Sequence, residues 1–382
     1  MEVTSSGAHS ETSEAPVSAV RFASVYTVLR GAIDTRAFPG CAFGVFAQGE
    51  IALSDALGSF TYDLDDLPVQ PRTVFDVASL TKVVSTTAIA MLLFQTGILD
   101  LDTPLGDLLP GFIVGRESST LARRVTMRNL LAHNSGLPGY VEFFRNLTTP
   151  TGLFRACLEL PIETPPGERS EYSDPGFILL GKALEVITHE SLSDSARRLV
   201  FDPLGMAATG FRPAQEQRSL IPPTEVDTSF RHRKIQGEVQ DENASVLDGV
   251  AGHAGLFSNV PDLLCFAQTL ISGLNGREFP GIPNLFARET IEVFSRRQPP
   301  QGSSRALGWD TPSVPDSSAG RLFSPRSIGH LGYSGCSFWI DLDASVAAVL
   351  LTNRTWPDRH SQAIRQVRPA FHDAVRESLS SA

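Results

Sequence analysis

Apolar residues recur at Phe22, Val25, Leu29 and Ile33, the spacing of one helix face, until Phe38-Pro39-Gly40 ends the pattern. Two short apolar runs follow, Cys41 to Ala47 and Ile51 to Leu57. The Gln48-Gly49-Glu50 link between them predicts a β-hairpin turned by glycine. From Ser79 to Phe94 the chain is apolar nearly all round, with Gly97 just past the end, the profile of a buried central helix with a C-cap. Residues 100–250 alternate short helical patterns with Pro- and Gly-rich loops, and Thr126 reads as an N-cap among them. Asn259-Val260-Pro261-Asp262 opens a further helix to about Ile271, in which Asn259 caps and Asp262 is expected to reach back to it. Ser337 to Leu342 and Ser345 to Thr352 read as adjacent antiparallel strands around Asp343, and Ser361 to Leu379 as a closing amphipathic helix.

Sheet-like segments at both ends and helical ones between predict an α/β (α+β) fold with an antiparallel sheet. One α/β lobe would be built from residues 17–95 and 252–382, with an all-helical lobe inserted at 96–251. Residues 1–16 read as a disordered polar segment, and no internal repeat is found.

Composition narrows the function classes. The 382 residues are 42% hydrophobic and 19% charged with a formal charge of -10, so the chain is globular and offers no basic surface for nucleic acid. The short basic stretch Arg231 to Lys234 reads as a solvated loop. Cys41, Cys157, Cys265 and Cys336 are widely separated and are expected to be reduced core residues. Neither a signal peptide nor a membrane span is legible, which gives a cytoplasmic expectation, or a periplasmic or secreted one if a leader has been trimmed. Oligomeric state is not legible.

Common hydrolase signatures fail first. No Gly-x-Ser-x-Gly pentapeptide occurs, no His-Glu-x-x-His, and no Cys/His cluster, so no metal or cofactor is expected. Gly176 to Ala183 approaches a phosphate loop but lacks its Ser/Thr and reads as a core helix. Ser79-Leu80-Thr81-Lys82 is different. Serine and lysine three residues apart share a helix face, and a lysine there can take the serine proton if burial and the positive helix end depress its pKa. The chain has only three lysines, Lys82, Lys182 and Lys234, against 29 arginines. On its own such a pair is more often an N-cap and a snorkelling lysine.

It does not stand alone. With Tyr172-Ser173-Asp174 and His330-Leu331-Gly332 following in order, the chain resembles the penicillin-recognising serine hydrolases: class C β-lactamases, DD-peptidases, D-aminopeptidases and β-lactamase-like esterases. Phe75 to Lys82, Leu130 to Pro138, Pro165 to Asp174, Gly252 to Ser258 and Gly329 to Gly335 carry the likeness, over about residues 20–375. The resemblance implies that Ser79 attacks a carbonyl, that Lys82 or Tyr172 accepts its proton, and that water hydrolyses the acyl-enzyme. It also implies an oxyanion hole from the backbone N–H groups of Ser79 and Tyr333, with His330 and Gly332 in the substrate-binding third motif.

Two departures weigh on substrate. Asp174 stands where asparagine is more common; a carboxylate only accepts hydrogen bonds, and beside Lys82 it raises the lysine pKa, leaving the base to Tyr172 or requiring a protonated Asp174. Asp174→Asn would then favour β-lactams. His330-Leu331-Gly332 stands where many β-lactamases carry Lys-Thr-Gly, and an imidazole of pKa about 6.5 attracts a carboxylate only partly. The expected substrate is a small ester, amide or D-amino-acid peptide, ahead of β-lactams or a DD-carboxypeptidase role. The rival from another class is an inactive peptide-binding scaffold. His133 and His253 read as structural.

Overall fold

The computed structural model describes residues 20–117, 119–277, 279 and 281–380. The polar segment 1–16 lies outside them. Helix α1 (Ala23–Asp34) leads into β1 (Gly40–Ala47) and β2 (Glu50–Gly58). Gln48 and Gly49 both have positive φ, 58° and 91°, which is the backbone of a tight two-residue hairpin turn. The two-residue strand β3 (Phe75–Asp76) precedes a 3-10 turn (Ala78–Leu80), a π-helical stretch (Lys82–Thr87) and α2 (Ala88–Gln95). The segment expected as one regular helix is thus wound three ways. Ala78–Gln95 is long and apolar enough to cross a membrane, but 78% of it is buried inside the fold.

The inserted segment contributes α3 (Met127–Leu131), capped by Thr126 with Asn129 in a reciprocal capping box, and α4 (Asp174–Thr188). It is not purely helical: β4 (Gly210–Phe211) and the hairpin of β5 (Glu225–Asp227) and β6 (Arg233–Ile235) also lie there. β7 (Leu256–Ser258) precedes α5 (Val260–Asn275), whose N-cap is Asn259. Asp262 does not reach back to it; its carboxylate takes the Ala208 N–H and the Thr209 hydroxyl, tying α5 to the insertion. β8 (Ile328–Leu331), β9 (Ser337–Asp341), β10 (Val346–Thr352) and α6 (Ile364–Ser380) finish the chain.

Five strands form an antiparallel sheet in the order β2-β1-β10-β9-β8, so the two chain ends meet at the β1–β10 ladder, Cys41 opposite Thr352 to Phe46 opposite Ala347. Alternation sorts the side chains. Phe43, Val45, Ala348, Leu350 and Trp339 pack under α1 and α6, while Phe46, Val349, Leu351 and Phe338 face a second cluster that continues into the insertion. Both faces are covered, which is why β1 and β10 are buried at every position. A smaller sheet, β3-β7-β4, pins the segment before Ser79 between the two halves.

Candidate active site

The site is assembled on the strand-to-helix corner after β3. Ala78 sits at φ 48°, a left-handed conformation unfavourable for a residue with a Cβ. It is held there because its N–H donates to Asp76 Oδ1 (2.8 Å), and the other Asp76 oxygen takes the Gln240 N–H (2.7 Å). Burial of Asp76 pushes its carboxyl up to about 6. The strained corner turns Ser79 out toward a cleft of about 830 Å³ whose lining includes Ser79, Tyr172, Asp174 and Tyr333.

Lys82 is fully buried, and its ammonium donates three hydrogen bonds: to Ser79 Oγ (3.0 Å), to Asp174 Oδ1 (2.7 Å) and to the His253 carbonyl (3.1 Å). Burial alone would pull this lysine down, but the adjoining Asp174 charge, with Tyr172 adding to it, carries it above the ordinary value. An ammonium with all three protons engaged has no lone pair to offer Ser79. The lysine is raised rather than depressed, the direction expected for a carboxylate at position 174.

Tyr172 stands against this pair, with Lys82 Nζ 4.7 Å from its ring centroid. Burial raises the phenol pKa and the Lys82 charge offsets this only in part, so Tyr172 is a neutral proton donor. Its ring is walled by His133 (centroids 4.6 Å apart) and His330 (5.7 Å), and the Arg305 guanidinium lies 5.0 Å from its centroid. His133 Nδ1 accepts the Ser173 N–H (3.0 Å), and Ser173 itself caps α4, so this histidine fixes the backbone between Tyr172 and Asp174. Both histidines are held well below their ordinary pKa, by burial first and by neighbouring cationic charge second. His330 is accordingly a neutral imidazole.

Gly332 packs directly on the Ser79 corner: a Cβ there would lie 2.5 Å from the Val77 carbonyl oxygen. Ser334 Oγ donates to the Asp76 carbonyl (2.8 Å), binding the same turn to the same strand. From α6, buried Arg368 donates to the carbonyls of Gly332 (2.5 Å), Cys336 (2.9 Å) and Gly335 (3.2 Å). The turn carrying Tyr333 is thereby fixed beside Ser79. The residues singled out in sequence, Ser79, Lys82, Tyr172, Asp174, His330, Gly332 and Tyr333, meet around one corner.

Several residues here carried no sequence signal: Arg305, Arg368 and Asp241, which pairs with His253 Nε2 at 3.0 Å. No group of three or more His, Cys, Asp or Glu side chains is arranged to hold a metal ion among the described residues.

A strained serine corner, a buried lysine beneath it and a tyrosine against both, between a sheet and a helical insertion, are the arrangement of a serine hydrolase. The chain belongs to the β-lactamase family, whose model matches residues 26–370. It is 30% identical over 348 residues to a protein of Escherichia coli O157:H7 named "Putative D-alanyl-D-alanine carboxypeptidase", covering 83% of this chain and 79% of that one. It is also 30% identical over 358 residues to an N-acetylmuramyl-L-alanine amidase of Bacillus subtilis (strain 168), covering 83% and 77%. In fold it matches EstCE1, a hydrolase with promiscuous acyltransferase activity, with TM-score 0.73 at 20% identity over 94% of this chain and all of that one.

Proposed function

We propose that this hydrolase cleaves esters or amides, D-amino-acid amides and peptides among them, through an acyl-enzyme on Ser79, with Asp174 as the terminal proton acceptor. The observation that carries the reading is the unbroken line from Ser79 Oγ through Lys82 Nζ to Asp174 Oδ1, 3.0 and 2.7 Å. Lys82 gives one proton to Asp174, and the amine so freed turns its lone pair to Ser79 and takes the hydroxyl proton as Oγ attacks the carbonyl carbon. Lys82 ends this step as an ammonium again. The tetrahedral oxyanion is received by the Ser79 and Tyr333 N–H groups, each worth about 3 kcal/mol to the transition state.

The carbonyl–leaving-group bond then breaks, and the neutral Tyr172 phenol gives its proton to the departing oxygen or nitrogen. The proton on Asp174 returns through Lys82 to Tyr172. Water attacks the acyl-enzyme by the same route, releasing the carboxylic acid and restoring the Ser79 hydroxyl. The names borne by the relatives, carboxypeptidase and amidase, support acyl transfer from amides, and the absence of a lysine at position 330 weighs against β-lactam turnover. Oligomeric state does not enter this scheme.

The test is release of p-nitrophenol from p-nitrophenyl butyrate by wild type and Ser79→Ala at neutral pH, with covalent labelling by a serine-reactive phosphonate. Hydrolysis and labelling in wild type only are expected. Equal rates in both proteins would remove Ser79 from the mechanism, and neither rate nor label would favour a binding scaffold.

A further inference from the structure

We propose that His253, held by Asp241, is a positioning residue for the acyl transfer: the pair fixes the peptide carbonyl that orients the Lys82 amine, so that its lone pair meets Ser79 Oγ. The proposal rests on the acyl-transfer reading of Ser79 and deepens it. Of the three acceptors around Lys82 Nζ, Ser79 and Asp174 gain and lose protons in that scheme, and the His253 carbonyl, at 3.1 Å, does neither. With one N–H on this carbonyl and the other toward Asp174, the lone pair of the free amine has only Ser79 Oγ to face. If the carbonyl drifts, the amine gains an orientation in which the lone pair misses the serine.

The chain around that carbonyl is tied to residues on either side of Lys82. Thr86 Oγ1 donates to the Gly252 carbonyl (2.7 Å), and Thr81 Oγ1 accepts the Leu256 N–H (3.1 Å). Those ties grip the backbone before and after His253 and leave its own peptide to the side chain. The imidazole is 1% exposed. Its Nε2 lies 3.0 Å from Asp241 Oδ1 and its Nδ1 has no partner among the described residues, so one hydrogen bond sets the ring. Asp241 is fixed in turn, because the same oxygen accepts the Ala244 N–H (2.7 Å) as the N-cap of the helix Glu242–Val246. Burial works to raise the Asp241 carboxyl, but the His253 ring and these hydrogen bonds bring it down to about 2, so it remains an acceptor and the proton between them sits on Nε2. One line of contacts thus runs from the helix cap through Asp241 and His253 to Lys82.

Four variants test this on p-nitrophenyl butyrate, with kcat counted per Ser79 site labelled to completion by a serine-reactive phosphonate, so that unfolded molecules drop out. His253→Gln places an amide N–H where Nε2 stands, whereas His253→Asn, one bond shorter, does not reach Asp241. His253→Asn should lower both kcat and the rate of phosphonate labelling by between about tenfold and 100-fold with KM little changed, and His253→Gln should recover most of the loss. Asp241→Ser keeps a capping oxygen for Ala244 but is too short for His253. It should lose as much as His253→Asn, and the double variant no more than either, because the same contact is removed each time. A merely structural histidine would lower the urea midpoint and leave kcat per labelled site as it was, which overturns the inference. So do a His253→Gln no better than His253→Asn, additive losses in the double variant, or a change confined to KM, which would make Asp241 only a wall of the substrate cleft. In each of those cases Ser79-dependent hydrolysis by wild type still stands. If wild type itself shows none, the acyl-transfer reading falls and takes this inference with it.

Discussion

Asp174 is the residue on which the chemistry turns. As a carboxylate 2.7 Å from Lys82 it keeps the lysine charged, and in the proposed relay it also supplies the base. Asp174→Asn removes both effects. Loss of the neighbouring anion lets burial win, so the Lys82 pKa falls. Ester hydrolysis at pH 7 should then drop by about 100-fold or more, with activity recovering as pH is raised and Lys82 loses its proton. A steady-state pH profile of both proteins decides it, since an unchanged rate at pH 7 would sink the relay. Asp76 gives a second pH signature, in stability. Its folded-state carboxyl, at about 6, lies above the ordinary carboxylate value, so the protein gains from this group at low pH and loses the gain as pH rises from about 4 through 6. Between pH 4.5 and 7 urea unfolding of wild type should lose about 2 kcal/mol relative to Asp76→Asn. Parallel pH dependences would mean that Asp76 is an ordinary carboxylate.

At the scale of elements, the sequence carries what is local. The Ser79–Lys82 spacing, the Gln48-Gly49 turn and the Thr126 cap each depend on residues a few positions apart, and the structure has all three. What it lacks is long-range partnership. Local spacing alone does not bring a carboxylate 92 positions on to Lys82; only the resemblance to the family's second motif places Asp174 there. The π-helical winding of Lys82–Thr87 leaves no trace in a stretch whose side chains are all buried. The Arg368 clamp is likewise silent, an arginine on an amphipathic helix like several others. Its three carbonyl contacts hold the Tyr333 turn, so Arg368→Lys, a single point charge replacing a planar fork, should lower kcat about tenfold with KM little changed, because the proposed oxyanion contact of Tyr333 would act only in the transition state. A rise in KM at constant kcat would assign the clamp to substrate binding instead. Glycines give a matched pair for packing. In Gly252→Ala the new Cβ would lie 2.0 Å from the Phe177 carbonyl, backbone that cannot step aside, whereas at Gly210 nothing lies within 4 Å. Gly252→Ala should cost more than about 2 kcal/mol in thermal or urea unfolding and Gly210→Ala less than about 1. Similar costs would show that the 252 loop relaxes.

Over the whole molecule the question is whether sheet and insertion form one cooperative body. The chain ends build the sheet, but the buried apolar cluster on its inner face runs on into the insertion, joining Phe338 and Val349 to Leu130, Phe177 and Leu180. A polar tie crosses at the same place, Lys82 to Asp174, beside the Thr86 Oγ1 bond to the Gly252 carbonyl (2.7 Å) and the Lys82 bond to the His253 carbonyl, which hold the chain where it returns from the insertion. An insertion so joined cannot unfold without exposing Lys82 and the corner that carries Ser79. The protein contains its own test, because its three tryptophans, Trp309, Trp339 and Trp356, all lie C-terminal to the insertion. Tryptophan fluorescence therefore reports the sheet half, while circular dichroism at 222 nm is weighted toward the helices of both. In urea the two transitions should coincide, and loss of ester hydrolysis should coincide with them. If ellipticity and activity fall first while fluorescence holds, the insertion is a separately unfolding unit. The site at its border would then be assembled only when the two halves dock.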